Sequence, residues 1–224
     1  MLTLPARWVV PDWPAPANVR AFVTTRAADA LVVGVHVPSI PRWLSQVHGT
    51  AVANLDEPDG GDVVIADAAV TSVPGRVAVV RTADCLPVFL CRANGSRVAV
   101  AHAGWRGLAA GVLENAVAAL GGAGAATMAW LGPAIGPAAF EVGPEVRAAF
   151  VSVDADAAYA FVPGRDDRFH ADLCLLARMR LARCGVSRVF GGGFCTFTES
   201  ARFYSWRRAR DSGRMGAFIW IEPA

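Results

Sequence analysis

The chain has 224 residues, 54% of them hydrophobic, with 21 basic and 19 acidic side chains, a net charge of +2 and a mean hydropathy of +0.38. This supplies a sizeable core, yet charges, glycine or proline interrupt every long apolar run, which argues against a membrane span, and the first residues lack the basic start and apolar stretch of a signal peptide. All 21 basic residues are arginine, scattered along the sequence, so charge gives no case for nucleic acid or a membrane surface as partner.

Five cysteines, an odd number without a CxxC pair, point to reduced thiols and a cytoplasmic protein. No stretch of linker composition divides the chain, so residues 1–224 are expected to form a single domain.

Short strands are predicted at Arg7 to Val10, Arg20 to Thr25 and Leu31 to Val37, separated by proline-rich turns. After Pro38 and Pro41 the chain reaches Gln46-Val47-His48-Gly49, with His48 beside a turn glycine. Ala51 to Leu55 reads as a strand, Glu57 to Asp62 as a turn, and Val63 to Thr71 as one or two strands with Asp67 among apolar neighbours.

Residues 77–107 hold the most informative pattern. Two valine-rich strands run into Thr82-Ala83-Asp84-Cys85 and into His102-Ala103-Gly104-Trp105-Arg106-Gly107, so a thiol and an imidazole stand at strand ends. Apolar residues at 108, 112, 113, 116, 117 and 120 have the helical period, which predicts a helix over Leu108 to Leu120 with Arg106 beside its N-terminus, a place suited to an anion.

Thr127 to Leu131 is predicted as a strand, Pro144 to about Val151 and Ala171 to Arg183 as helices, and Ala217 to Glu222 as the last strand. Strands in the first half followed by mixed helices and strands indicate an α+β sandwich.

His48, Cys85 and His102 are too far apart for a zinc-finger spacing, but two imidazoles and a thiolate would leave a tetrahedral Zn²⁺ one open position, as in catalytic sites. The competing reading makes Cys85 a small buried hydrophobe and His102 a hydrogen-bonded core histidine.

Here the chain resembles the purine nucleoside phosphorylase family formerly called multicopper polyphenol oxidases or laccase-domain proteins. The resemblance rests on Gln46-Val47-His48-Gly49, Thr82-Ala83-Asp84-Cys85-Leu86-Pro87, His102-Ala103-Gly104-Trp105-Arg106-Gly107, Leu131-Gly132-Pro133-Ala134-Ile135-Gly136, Glu141-Val142-Gly143, Cys195-Thr196 and Tyr204-Ser205-Trp206-Arg207-Arg208 with Gly213-Arg214. It implies zinc held by His48, Cys85 and His102, which are also the catalytic residues. The implied fold is a four-layer sandwich of two mixed β-sheets flanked by helices. The implied activity is phosphorolysis of adenosine, inosine, guanosine and methylthioadenosine, with adenosine deamination beside it. Purine nucleosides and phosphate are then the partners, and Arg106 or Arg207 is available to the phosphate.

The chain departs from the family pattern after Thr25-Arg26, where Ala27 to Trp43 is short and lacks the paired glycines expected there. The resemblance therefore carries the metal ligands further than it carries substrate choice or a role for Arg26. Three other classes stay open: a cysteine hydrolase or cell-wall precursor editing enzyme using Cys85 with a histidine base and Glu141 as acid or base, a single-copper redox protein, and a metal-stapled binding module. Four histidines, His36, His48, His102 and His170, are too few for a blue-copper site plus a three-copper cluster.

Overall fold

In the computed structural model the described residues are 7–27, 36–58, 61, 63–122 and 124–223. Its centre is a six-stranded mixed sheet of β3 (Val52–Asn54), β5 (Ala68–Thr71), β7 (Leu86–Arg92), β8 (Val98–Ala103), β9 (Thr127–Leu131) and β13 (Arg188–Gly191), in the order β13-β9-β7-β8-β5-β3. The outer pairs, β13 with β9 and β3 with β5, are parallel, and the inner pairs are antiparallel.

A second sheet, antiparallel throughout, sets β1 (Val19–Val23) and β6 (Ala78–Thr82) on either side of β14 (Met215–Ile221). Two small sheets complete the set. One is β10 (Glu141–Val142), β11 (Phe161–Pro163) and β12 (Phe169–Ala171), and the other is the parallel pair of β2 (Leu44–Ser45) and β4 (Val64–Ile65).

Strand alternation decides which face meets which layer. In β7, Phe89 and Cys91 face the second sheet, while Leu86, Val88 and Leu90 face the helices. In β8 the alternation sorts by size: Val98 and Val100 fill the space between the sheets, and Ala99, Ala101 and Ala103 let a helix lie close on the other side. Along β14, Met215, Ala217, Ile219 and Ile221 face inward, and Phe218 and Trp220 join Trp8 and Phe22 in an aromatic cluster on the far face.

The helical layer is α1 (Trp105–Ala110), α2 (Val112–Leu120), α3 (Pro144–Val151) and α4 (Leu173–Arg183). The apolar period recognised from Leu108 to Leu120 is real, but the helix starts earlier, at Trp105, and breaks at Gly111. That residue has φ +107, a conformation costly to any side chain, and its N–H donates to Gly107 O to close α1. The third helix begins with Pro144, as expected, and the fourth is capped by Asp172, whose carboxylate accepts the Leu175 N–H at 2.9 Å.

The fold is therefore α+β, with several sheets and flanking helices. The finer expectation of two mixed sheets is corrected: among the described residues there are four sheets, and of the two larger ones only the six-stranded sheet is mixed. Residues 7–10 contribute one bridge, Val9 to Val23, rather than a strand. Most of the strand expected over 31–37, and much of the segment from 27 to 43, lies outside the described residues. No helix among the described residues is long and apolar enough to cross a membrane.

Candidate metal centre

Three chain segments meet at one point. His102 is the penultimate residue of β8, Cys85 lies between β6 and β7, and His48 sits in a turn after β2. One ligand atom from each of His48, Cys85 and His102 lies within 4.8 Å of the others. The two imidazole centroids are 4.8 Å apart at an interplanar angle of 65°. His102 is buried, Cys85 half-buried and His48 exposed, so the cluster opens to solvent on the His48 side.

Two glycines permit this convergence. A Cβ on Gly104 would stand 2.6 Å from His48 Nδ1 and 3.0 Å from Cys85 Sγ, and one on Gly107 would stand 2.8 Å from the carbonyl oxygen of Gly49. The 2.6 and 2.8 Å distances are shorter than real contacts show and the 3.0 Å one is tight, so α1 seats against the His48 turn because both positions lack a side chain.

Two buried aspartates hold the segments in place. Asp67 accepts the N–H groups of Val47 at 3.1 Å, His48 at 3.0 Å and Gly49 at 2.7 Å, and His102 Nδ1 donates to it at 2.8 Å. Asp84, with φ +84, accepts from Thr196 Oγ1 at 2.6 Å, Ser205 Oγ at 3.0 Å and the Arg207 N–H at 2.7 Å. It thereby ties the turn carrying Cys85 to the loop carrying Arg207.

The electrostatics follow from this wiring. Burial would lower the His102 pKa, but the hydrogen bond to Asp67 and the contact with Cys85 outweigh it and push it up to about 9. Burial likewise works against the Asp67 carboxylate, and the donors from His102, Gly49 and Val47 overcome that and hold it below the usual range. His48 moves down, first through partial burial and then through the neighbouring His102. A dense cluster of perturbed groups in a cleft is a common mark of a functional site.

The cluster forms part of the wall of a cleft of about 760 Å³, which is also lined by Trp105, Arg106, Phe140, Trp206, Arg207, Arg81 and Arg214. The Arg106 guanidinium lies 4.4 Å over the Trp105 ring, within the first turn of α1 rather than ahead of it. Arg207 lies over Phe140 and donates to the Glu141 carbonyl oxygen from both terminal nitrogens, at 3.1 and 3.0 Å. Its neighbour Arg208 turns away to the carbonyls of Thr196, Phe197 and Phe203, so one of the adjacent pair reaches the cleft. Arg26 instead donates to the Ser200 carbonyl and lies over Tyr204, away from the cleft wall, and Glu141 is not part of that wall either.

The other four thiols lie outside the three-residue cluster. Burial pushes Cys91 and Cys174 up to about 12 and raises Cys184. Cys195 moves down, because donors from Thr198, Gly136 and Phe197 outweigh its burial.

An α+β fold with a His₂Cys donor set in the wall of an arginine-lined cleft describes a metal-centre protein, and residues 16–222 match a family model described as multi-copper polyphenol oxidoreductase laccase. The chain belongs to that family. It is 50% identical over 241 residues to the purine nucleoside phosphorylase PA4543 of Pseudomonas aeruginosa, covering 96% of this chain and 98% of the relative. It is 46% identical over 244 residues to the purine nucleoside phosphorylase YfiH of Escherichia coli, covering 96% and 99% of the two chains. Both alignments run longer than this chain, so each relative carries residues absent here.

A crystal structure of Neisseria meningitidis protein NMB0706 superposes with a TM-score of 0.93 at 40% identity, covering 97% of this chain and all of the other. Kinship of this depth supports an enzymatic role.

The expectation of zinc is corrected by these findings. Two imidazoles and a thiolate are the ligand set of single-copper centres, and the family is described by copper, so the site is copper-type. The zinc-dependent nucleoside phosphorylase and deaminase read from the sequence falls with it, and the single-copper alternative fits better. One such centre is what the histidines allow, since His36 packs edge-on to Trp8 and His170 sits 3.2 Å from the Pro137 carbonyl, apart from the cluster.

Reasoning from sequence missed the roles of Asp67 and Asp84. The signal was present in Val-Val-Ile-Ala-Asp-Ala-Ala-Val, where one carboxylate sits in an apolar run and must find donors if buried.

Proposed function

We propose that this chain is a cytoplasmic single-domain enzyme that holds one copper-type ion on His48, Cys85 and His102 and takes purine nucleosides into the cleft above it. The observation that carries the reading is the approach of three donor atoms to within 4.8 Å of one another at a cleft large enough for a nucleoside. A copper ion supplies a one-electron couple and a Lewis acid at that point.

The remaining work belongs to the chain. Trp105 and the exposed Trp206 offer apolar ring surface to a planar base, Arg106 and Arg207 offer cationic donors to an anion, and the exposed side of His48 leaves an approach to the ligand cluster. The ligand set favours redox chemistry.

A second reading, phosphorolysis, is favoured by the names of the relatives and by the arginines. In it a phosphate oxygen bonds to C1′ of the ribose as the bond to the purine nitrogen breaks, the electron pair leaves with the base, and Arg106 or Arg207 holds the phosphate. No electron changes hands, so the two readings separate cleanly.

Copper-loaded, metal-quantified protein incubated with a panel of purine nucleosides, with and without phosphate, tests both. Oxygen uptake with oxidised products supports the redox reading, and phosphate-dependent release of free base without oxygen uptake supports the second. No conversion of any nucleoside would reject both.

A further inference from the structure

Asp67 is completely buried, and its carboxylate does more than a core polar group requires. Oδ1 accepts the His48 N–H and faces His102 Nδ1, while Oδ2 accepts the N–H groups of Val47 and Gly49. Its backbone also anchors β8, since its carbonyl accepts the His102 N–H at 2.7 Å. One residue thus touches both histidines of the cluster from two sides.

We infer that Asp67 is the positioning residue of the metal centre, fixing which nitrogen His102 turns toward the ion and holding the backbone from which the His48 ring projects. A carboxylate at 2.8 Å from Nδ1 keeps a proton there, so Nε2 of His102 is the atom left free to bind metal. Three successive N–H donors on the same carboxylate hold His48 at φ +59, a left-handed conformation that a free histidine seldom adopts, and so aim its ring at the same point. The inference rests on the three-ligand reading above, and the test separates the two.

Asp67→Asn is the informative change because it keeps the shape and removes half of the acceptor capacity. Whichever way the amide turns, an NH₂ group faces either the donors of Val47 and Gly49 or those of His48 and His102. The probe is Cu(II), titrated against a competing chelator and examined by pulsed electron paramagnetic resonance, which reports the hydrogen bonding of the imidazole nitrogen remote from the metal. Wild type should show two inequivalent imidazoles, one with its remote N–H bound to a carboxylate. Asp67→Asn, checked for folding by circular dichroism, should bind Cu(II) about 10–100-fold more weakly and lose that signature.

A merely structural Asp67 would leave the remote-nitrogen signature of any bound copper unchanged, which would overturn the inference. Two equivalent, solvent-bonded remote nitrogens in wild type would overturn it without any variant, should Asp67→Asn not fold. Wild type that binds no Cu(II) would instead reject the three-ligand reading and the inference with it.

Discussion

At the scale of single residues, the site depends on small groups placed where larger ones would not fit. Gly104 has φ −63 and ψ 153, an ordinary extended conformation, so any cost of Gly104→Ala comes from the new methyl against His48 Nδ1 and Cys85 Sγ and not from the backbone. We predict a folded protein destabilised by about 1–3 kcal/mol. Cu(II) affinity should fall on the order of tenfold or more, because the ligands are pushed apart. Chelator competition and thermal melts check both numbers, and unchanged copper affinity would show that the cluster tolerates that displacement. Far from the site, Asp56 accepts from Thr71 Oγ1, the Ser72 N–H and Ser72 Oγ, with Arg97 at 3.7 Å. Burial raises its carboxyl, but these donors outweigh burial and the folded pKa lies below the ordinary value. A depressed pKa stabilises the fold above the unfolded value near ~3.9 and loses that contribution as pH falls through the folded value. Asp56→Asn should therefore lower Tm at pH 7 by no more than about 2–4 °C, as suits a partly exposed cluster. The gap between variant and wild type should close as the solution is acidified below pH ~4, and a constant gap across that range would contradict the assignment.

At the scale of elements, legibility followed the strength of the local pattern. The helical period from Leu108 to Leu120 and the proline at 144 found their helices, because amphipathic spacing and a fixed φ are local properties. The break at Gly111 was not legible, since a glycine inside a helical period is tolerated as often as it interrupts one. Leu86–Arg92 was not among the predicted strands, and Pro87 is a local signal against a central strand, yet it proves to be the central antiparallel partner of both β8 and β9. Each ligand segment was visible as a strand end or turn, but the carboxylates that hold those segments together act across 18 to 35 residues for Asp67 and 112 to 123 for Asp84, a range that no local period records. The β7 reading makes its own prediction. Phe89 is fully buried between the sheets and stacks on Trp130 at 5.7 Å, so Phe89→Ala should cost about 3–5 kcal/mol. Urea unfolding would show this as a lower midpoint with little change in slope, and a loss below ~1 kcal/mol would mean that the space between the sheets closes up.

At the scale of the whole molecule, the two larger sheets and the helical layer fix three chain segments so that their ends meet, and the cleft above that meeting point is the widest consequence of the fold for function. The interior of β8 illustrates the division of labour: its alanines admit the helices, its valines fill the space between the sheets, and its end delivers His102 already bonded to Asp67. Whether the centre performs redox chemistry or phosphorolysis, every account of this cleft begins with the identity of its ion. Elemental analysis of protein purified without added metal, run beside Cys85→Ala, tests that claim most directly. The account predicts about one copper per chain in wild type, by the single His₂Cys cluster among the described residues, and loss of that copper in a folded Cys85→Ala. Near-stoichiometric zinc without copper in wild type, or copper retained in full by Cys85→Ala, would contradict it.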